Sequence, residues 1–112
     1  MKEIKAIIRP EMFDTVYRKI KATGHNGVTV YHGEGTGRHG DPEKMNASLD
    51  FPILHSKVIK MIILVSDEDE ENLMNIIQQA ACTNHVGDGI IYSTTIGNAM
   101  SIRTGAKGEA AF

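Results

Sequence analysis

The stretch KEIKAIIRPEMFDTVYRKIKATG, Lys2–Gly24, changes its hydrophobic period partway along, and that change decides the fold. Over residues 2–9, Ile4, Ala6 and Ile8 alternate with Lys5, Ile7 and Arg9, the period of a strand with two unlike faces. Pro10 ends the run. Beyond it Phe13, Val16, Tyr17 and Ile20 recur at i, i+3, i+4 and i+7, the stripe of an amphipathic helix. Lys19 and Lys21 suit the negative end of that helix, and Gly24 suits its stop. A β-branched run, GVTVYHGEG (27–35), completes a β-α-β opening.

Working outward, periodicity disappears over 36–56, where TGRHGDPEKMNASLDFPILHS holds two prolines and many turn formers. A connection of about 20 residues without structure of its own is uncommon in a compact domain and is usually functional or disordered. KVIKMIILV (57–65) then predicts a third strand. Ser66 with Asp69, or Asp67 with Glu70, has capping-box spacing for the next helix. The acidic run DEDEE complements that helix's positive end and is not read as a metal cluster. Leu73, Ile76, Ile77, Ala80 and Ala81 are the expected buried face, and Cys82 at the helix end is expected to pack into the core. GIIYSTT predicts a fourth strand, followed by a tail over 96–112.

The order β-α-β, long loop, β-α-β predicts one α+β domain over 1–112 with a ferredoxin-like βαββαβ arrangement. Its sheet would be four-stranded and antiparallel, with two helices on one face and the long loop between strands two and three. Short echoes between the halves, KAII with KMII and GVTVY with GIIY, agree with two βαβ units. Ile7, Met61 and Ile63 are expected on the uncovered face, an apolar surface that calls for an oligomer.

Bulk properties narrow the function classes. With 112 residues, 41% apolar and 23% charged, the chain has ordinary globular composition. A net charge of −2 gives no general attraction to nucleic acid or anionic lipid. Cys82 alone cannot build a disulfide framework and suits a reducing compartment. No apolar run approaches the ~20 residues of a membrane span, so a cytoplasmic location is expected.

Gly35-Thr36-Gly37-Arg38-His39-Gly40 matches G-x-G-x-x-G, but the DPEKMN that follows cannot open the helix a Rossmann site needs. What remains is a pair of glycines whose backbone N–H groups can approach an anion, with Arg38 beside them. Gly87-Asp88-Gly89 is either a tight turn or a second such cradle, and Arg103 in IRTG is either a surface residue or a third piece. The five histidines, at 25, 32, 39, 55 and 85, lack the spacing that makes a zinc signal specific; His25 and His85 are expected to be solvated in loops. No nucleophile-base order is present, so no catalytic residue is assigned and the chain is not expected to be an enzyme.

MKEIKAIIRPEMFDTVYRKIKATG, the GVTV strand with G-x-G at the loop entry, VGDG and the closing IRTGxxGExA together resemble the PII nitrogen-regulatory signalling proteins. The resemblance covers residues 1–38 and about 59–110. It implies a homotrimer that binds adenine nucleotides in the clefts between subunits and regulates a membrane transporter or metabolic enzyme through the long loop. The implied ligand is ADP or ATP, with other adenine nucleotides as alternatives and Mg2+ left open. By the same resemblance Thr29 and Leu64 meet the base, and Gly35, Gly37 and Arg38 lie beside the phosphates. Gly87, Asp88 and Gly89 form the second wall, Arg103 pairs with phosphate, and His39, Met45, Phe51 and Leu54 lie on the partner-binding loop.

Departures from the family pattern are specific. His39 replaces a glutamine linked to magnesium and 2-oxoglutarate, Ile90 replaces a lysine, Ser101 replaces an arginine, and Ile62 replaces an acidic residue. Only Lys57 or Lys60 is available for the loop lysine that anchors 2-oxoglutarate, and Phe51 lies near the position of a modified tyrosine. Loss of two cationic partners, at ~1.5–3 kcal/mol each, weakens triphosphate binding by two orders of magnitude or more. Sensing of 2-oxoglutarate in the usual way is not expected. The alternative is a trimeric ferredoxin-like module that binds a small ligand or divalent metal without nucleotide sensing.

Overall fold

Alternation along the first strand buries Ile4, Ala6 and Ile8 on one face and leaves Lys5 and Ile7 on the other. In the computed structural model, which describes residues 1–112 except Arg38, His39 and Phe51, this strand is β1 (Lys2–Ile8). A 3-10 turn at Pro10–Met12 leads into α1 (Phe13–Ala22). Gly24, at φ +93°, then turns the chain toward β2 (Val28–Gly35). The second half supplies β3 (Ser56–Val65), α2 (Glu70–Ala81) and β4 (Gly89–Thr95).

The strands form one sheet in the order β2-β3-β1-β4, and every pairing is antiparallel. Val16 and Ile20 from α1, with Leu73 and Ile77 from α2, pack on Ile4, Ala6, Ile8, Ile59, Met61, Ile63 and Val65. The helices therefore cover a single face, as the βαββαβ reading predicts. Each of the larger aliphatic side chains contributes roughly 1.5–3 kcal/mol by leaving water.

Met61 and Ile63 lie on the face opposite to the one expected, and both are fully buried. The register explains this. Ile4 stands opposite Ile63 and Ala6 opposite Met61, and directly paired residues share a face. The run KVIKMIILV carries one lysine on each parity, Lys57 and Lys60, and is otherwise apolar, so alternation alone does not reveal which set turns inward. The uncovered face instead carries Ile7, Val58, Ile62 and Leu64, with Ile90 opposite Ile7. An apolar outer face thus exists, built from the other parity.

Local details differ from expectation at two further places. Ser66 does not form a reciprocal capping box; its hydroxyl donates to Asp69 Oδ2 at 3.1 Å, and a 3-10 turn at Asp67–Asp69 precedes α2. Cys82 is exposed instead of core-packed, because the chain leaves helical geometry there with ψ 126° and its thiol turns to Asn84 Oδ1 at 3.3 Å.

The long connection is partly organised. Asp41 Oδ1 accepts from Glu43 N–H at 3.0 Å and starts a 3-10 turn at Pro42–Lys44. Asn46 and His55 exchange backbone hydrogen bonds of 2.6 and 2.8 Å. At its base Glu34 pairs with Lys57 at 3.1 Å and His55 at 3.2 Å.

The inward parity of β3 has a direct test. Ile63→Lys is expected to abolish cooperative urea unfolding, because it buries a charge among Ile4, Val16 and Leu73. Ile62→Lys, on the uncovered face, is expected to keep a folded circular dichroism spectrum. Equal loss of structure in both variants would contradict the register.

Candidate functional site

The turn before β4 is fixed by one carboxylate. Asp88 accepts from Thr83 N–H at 2.7 Å, Asn84 N–H at 3.1 Å and Arg9 Nε–H at 3.1 Å, and from the Thr83 hydroxyl. Partial burial pushes its carboxyl upward, but the Thr83 hydroxyl, the Thr83 N–H and Arg9 together outweigh that and hold the pKa at about 2, from an ordinary 3.8. Asp88 is thus occupied within the turn, while the Asn84 and His85 side chains are exposed.

The flanking glycines are needed for conformation and space. Gly87 and Gly89 have φ of +91° and +109°. A Cβ on Gly89 would stand 1.8 Å from the carbonyl oxygen of Ile7, so β4 docks on β1 only without a side chain there. Successive N–H groups in such a turn form the concave donor surface that suits an anion.

Strand order brings several of the expected residues to this same end of the sheet. Gly35 closes β2 opposite Ser56, while Ile8 closes β1 opposite Gly89. Gly37 follows, its carbonyl accepting from Gly40 N–H at 3.2 Å. Arg9, Asp41, Lys44, Lys57 and Gly87 line a cleft of about 230 Å³ between loop and turn. Two of its cations are already paired with carboxylates, Arg9 with Asp88 and Lys57 with Glu34.

Thr29 and Leu64 lie at the opposite end. They share a cleft of about 740 Å³ with Val28, Ile62, Glu109 and Phe112. Thr29 and Gly35 are six residues apart on one extended strand, roughly 20 Å at ~3.3 Å per residue. One chain therefore presents two groups of candidate residues and does not bring them together. Arg103 is exposed in a turn of the tail, closed by Gly105 N–H to Ser101 O and Ser101 N–H to Ala106 O, both 2.8 Å. Glu109 and Phe112 of the same tail reach the Thr29–Leu64 cleft.

Of the loop residues, Met45 packs on Gly40 and Leu54 is exposed, while Arg38, His39 and Phe51 lie outside the described residues. Ile90 is 58% exposed on the uncovered face, beside the glycine turn. His85 is exposed, but His25 is tied to Thr23 Oγ1 at 2.8 Å and Asp69 Oδ2 at 3.5 Å, unlike the solvated residue expected. Among the described residues no three His, Cys, Asp or Glu side chains group in a way that would hold a metal, and no helix is long and apolar enough to cross a membrane. Arg9, Asp41 and Phe112 were missed by sequence reasoning. Arg9 had a signal in its position, the last residue of a strand before proline; the other two had none.

A family model described as nitrogen regulatory protein P-II matches residues 1–106. The chain is 36% identical over 111 residues to nitrogen regulatory protein P-II 2 of Methanothermobacter thermautotrophicus, covering 99% of this chain and 96% of the relative. It is 33% identical over 108 residues to nitrogen regulatory protein P-II of Azospirillum brasilense, covering 96% of each. Among solved structures it is similar to Arabidopsis thaliana PII bound to citrate, with a TM-score of 0.81, 27% identity, and coverage of 99% of this chain and 91% of that one.

The lowered pKa of Asp88 fixes a sign. Its contribution is complete above the ordinary aspartate value and is lost as pH falls through about 2. Asp88→Asn is expected to lower stability near neutrality by at most about 2 kcal/mol and to flatten the acid limb between about pH 4 and 2. Urea unfolding across that range measures it; an unchanged acid limb in the variant would contradict the bonding described.

Proposed function

The chain belongs to the nitrogen regulatory protein P-II family, and from that membership we propose that it acts as a homotrimer with an adenine nucleotide between its subunits. Proteins of this family are signalling regulators of partner proteins, not enzymes. The observation that carries the finer reading is the division of candidate residues between opposite ends of one sheet. A second copy, set head to tail against the uncovered apolar face, supplies the missing half, and such a heterologous contact closes into a ring.

In that ring the base rests on Thr29, Ile62 and Leu64 of one subunit. Phosphates meet backbone N–H groups at Gly35, Gly37, Gly87 and Gly89 of the next, with Arg38 and Arg103 as the cations. The similar Arabidopsis protein, solved with citrate, supports binding of a multiply charged anion in this fold. Ile90 and Ser101 add no charge, so ADP or ATP binds weakly and a nucleotide with fewer phosphates loses little. Residues 36–56 then carry the ligand state to a transporter or metabolic enzyme in the cytoplasm, with His39, Met45, Phe51 and Leu54 as contact residues.

Native mass spectrometry with calorimetry tests this. The expected result is a trimer that binds ADP or ATP and loses affinity about tenfold or more on Arg103→Ala, the scale of one charge-assisted bond. A monomer, or no heat with either nucleotide at millimolar concentration, would overturn it.

A further inference from the structure

Arg9 closes β1 and joins two segments that sequence separates widely. Its side chain is only 11% exposed. Nε donates to Asp88 at 3.1 Å and Nη2 to the Val86 carbonyl at 2.5 Å, both on the turn before β4. Nη2 also stands 3.9 Å from Asp41 Oδ2, on the long loop. The guanidinium is planar and rigid, so these contacts set the position of turn and loop relative to each other.

Packing reinforces the join. A Cβ on Gly87 would lie 3.1 Å from Asp41 Cβ and 3.2 Å from both Asp41 N and Arg9 Nη2, so the turn backbone rests directly on the loop. Asp41 starts the 3-10 turn at Pro42–Lys44, with Lys44 N–H donating to its carbonyl at 3.0 Å. That turn leads to Asn46, which is bonded to His55 at the loop's return. A continuous line of contacts thus runs from the turn, through Arg9 and Asp41, to the closure of the loop.

We propose that Arg9 is a positioning residue that couples the Val86–Gly89 turn to Asp41–Asn46 of the long loop. Asp88 holds its share of the guanidinium firmly, being itself fixed by Thr83 and Asn84. The 3.9 Å contact to Asp41 is the weakest of the three, and an anion arriving at the turn displaces it first. Occupation of the turn therefore releases the loop. This ligand-dependent half rests on the nucleotide reading above; the coupling itself belongs to the ligand-free chain and is reciprocal.

Amide hydrogen exchange read by mass spectrometry tests both halves. Without ligand, Asp41→Ala is expected to speed exchange at Asn84–Gly89 at least threefold, and Thr83→Ala to do the same at Asp41–Asn46. Amides of β1 and β3 stay unchanged. In the Arg9→Lys background, which keeps the charge and loses the fork, each substitution acts only on its own segment. The D41A/T83A double variant decides the matter with Arg9 intact, because coupled effects do not add. Purely local effects in the Arg9 protein, or cross-effects that persist in R9K, would overturn the coupling. With millimolar ADP, exchange is expected to slow at the turn and rise at Asp41–Asn46, the latter only when Arg9 is present. An ADP effect at the turn with none at the loop overturns the coupling. No ADP effect at the turn overturns the nucleotide reading, while the ligand-free comparison still decides the coupling.

Discussion

β1 is hydrogen-bonded on both sides, to β3 and to β4, and both pairings are antiparallel. This double pairing fixes which parts of a 112-residue chain meet. The ends of β1 and β2 and the starts of β3 and β4 fall at one end of the sheet, so Gly35, Ser56, Arg9 and Gly89 gather there. The start of β2 and the end of β3 fall at the other, so Thr29 and Leu64 do too. No rearrangement inside the domain removes the roughly 20 Å between the groups without breaking strand pairing. On the proposed reading, a site that uses both groups draws them from more than one copy of the chain, with the apolar uncovered face as the surface proposed for their contact.

At the glycine-rich end, charged side chains are occupied in structural pairs. Asp88 consumes much of Arg9, and Glu34 consumes Lys57, so the charges there are largely matched. On the proposed reading, what the turn offers a ligand is backbone N–H, set by positive φ at Gly87 and Gly89. Backbone donors are directional but individually modest, worth about 1 kcal/mol net, against roughly 1.5–3 for a charged partner. The phosphate recognition proposed for this chain is therefore lean, and the same node that shapes the turn also positions the loop.

Element type and order were legible in the sequence, because the switch from period two to period 3.6 at Pro10 and again at Ser66 is sharp. Burial parity was legible for β1, where Lys5 and Arg9 mark one face, and ambiguous for β3, where Lys57 and Lys60 fall on opposite parities of an otherwise apolar run. Register decides that strand, and register depends on pairing across the sheet. Gly87 and Gly89 were recognisable as a turn by type alone. The committed state of Asp88 was not, since its donors Thr83, Asn84 and Arg9 include one 79 positions away. Cys82 reached the surface because the helix ends one residue before it, a boundary that local pattern does not fix.

In the proposed ring, a complete site needs both ends of the sheet, from different copies of the chain. Mixed oligomers test it most directly. Gly37→Asp places a negative charge at the glycine-rich end, where a Cβ meets no atom within 4 Å, and Leu64→Arg obstructs the cleft at the other. Each variant alone is expected to form the ring without binding ADP. Mixed and shown by native mass spectrometry to co-assemble, they are expected to recover binding at about one site per ring, because one junction joins two intact halves. Co-assembly without any recovered binding would contradict the account.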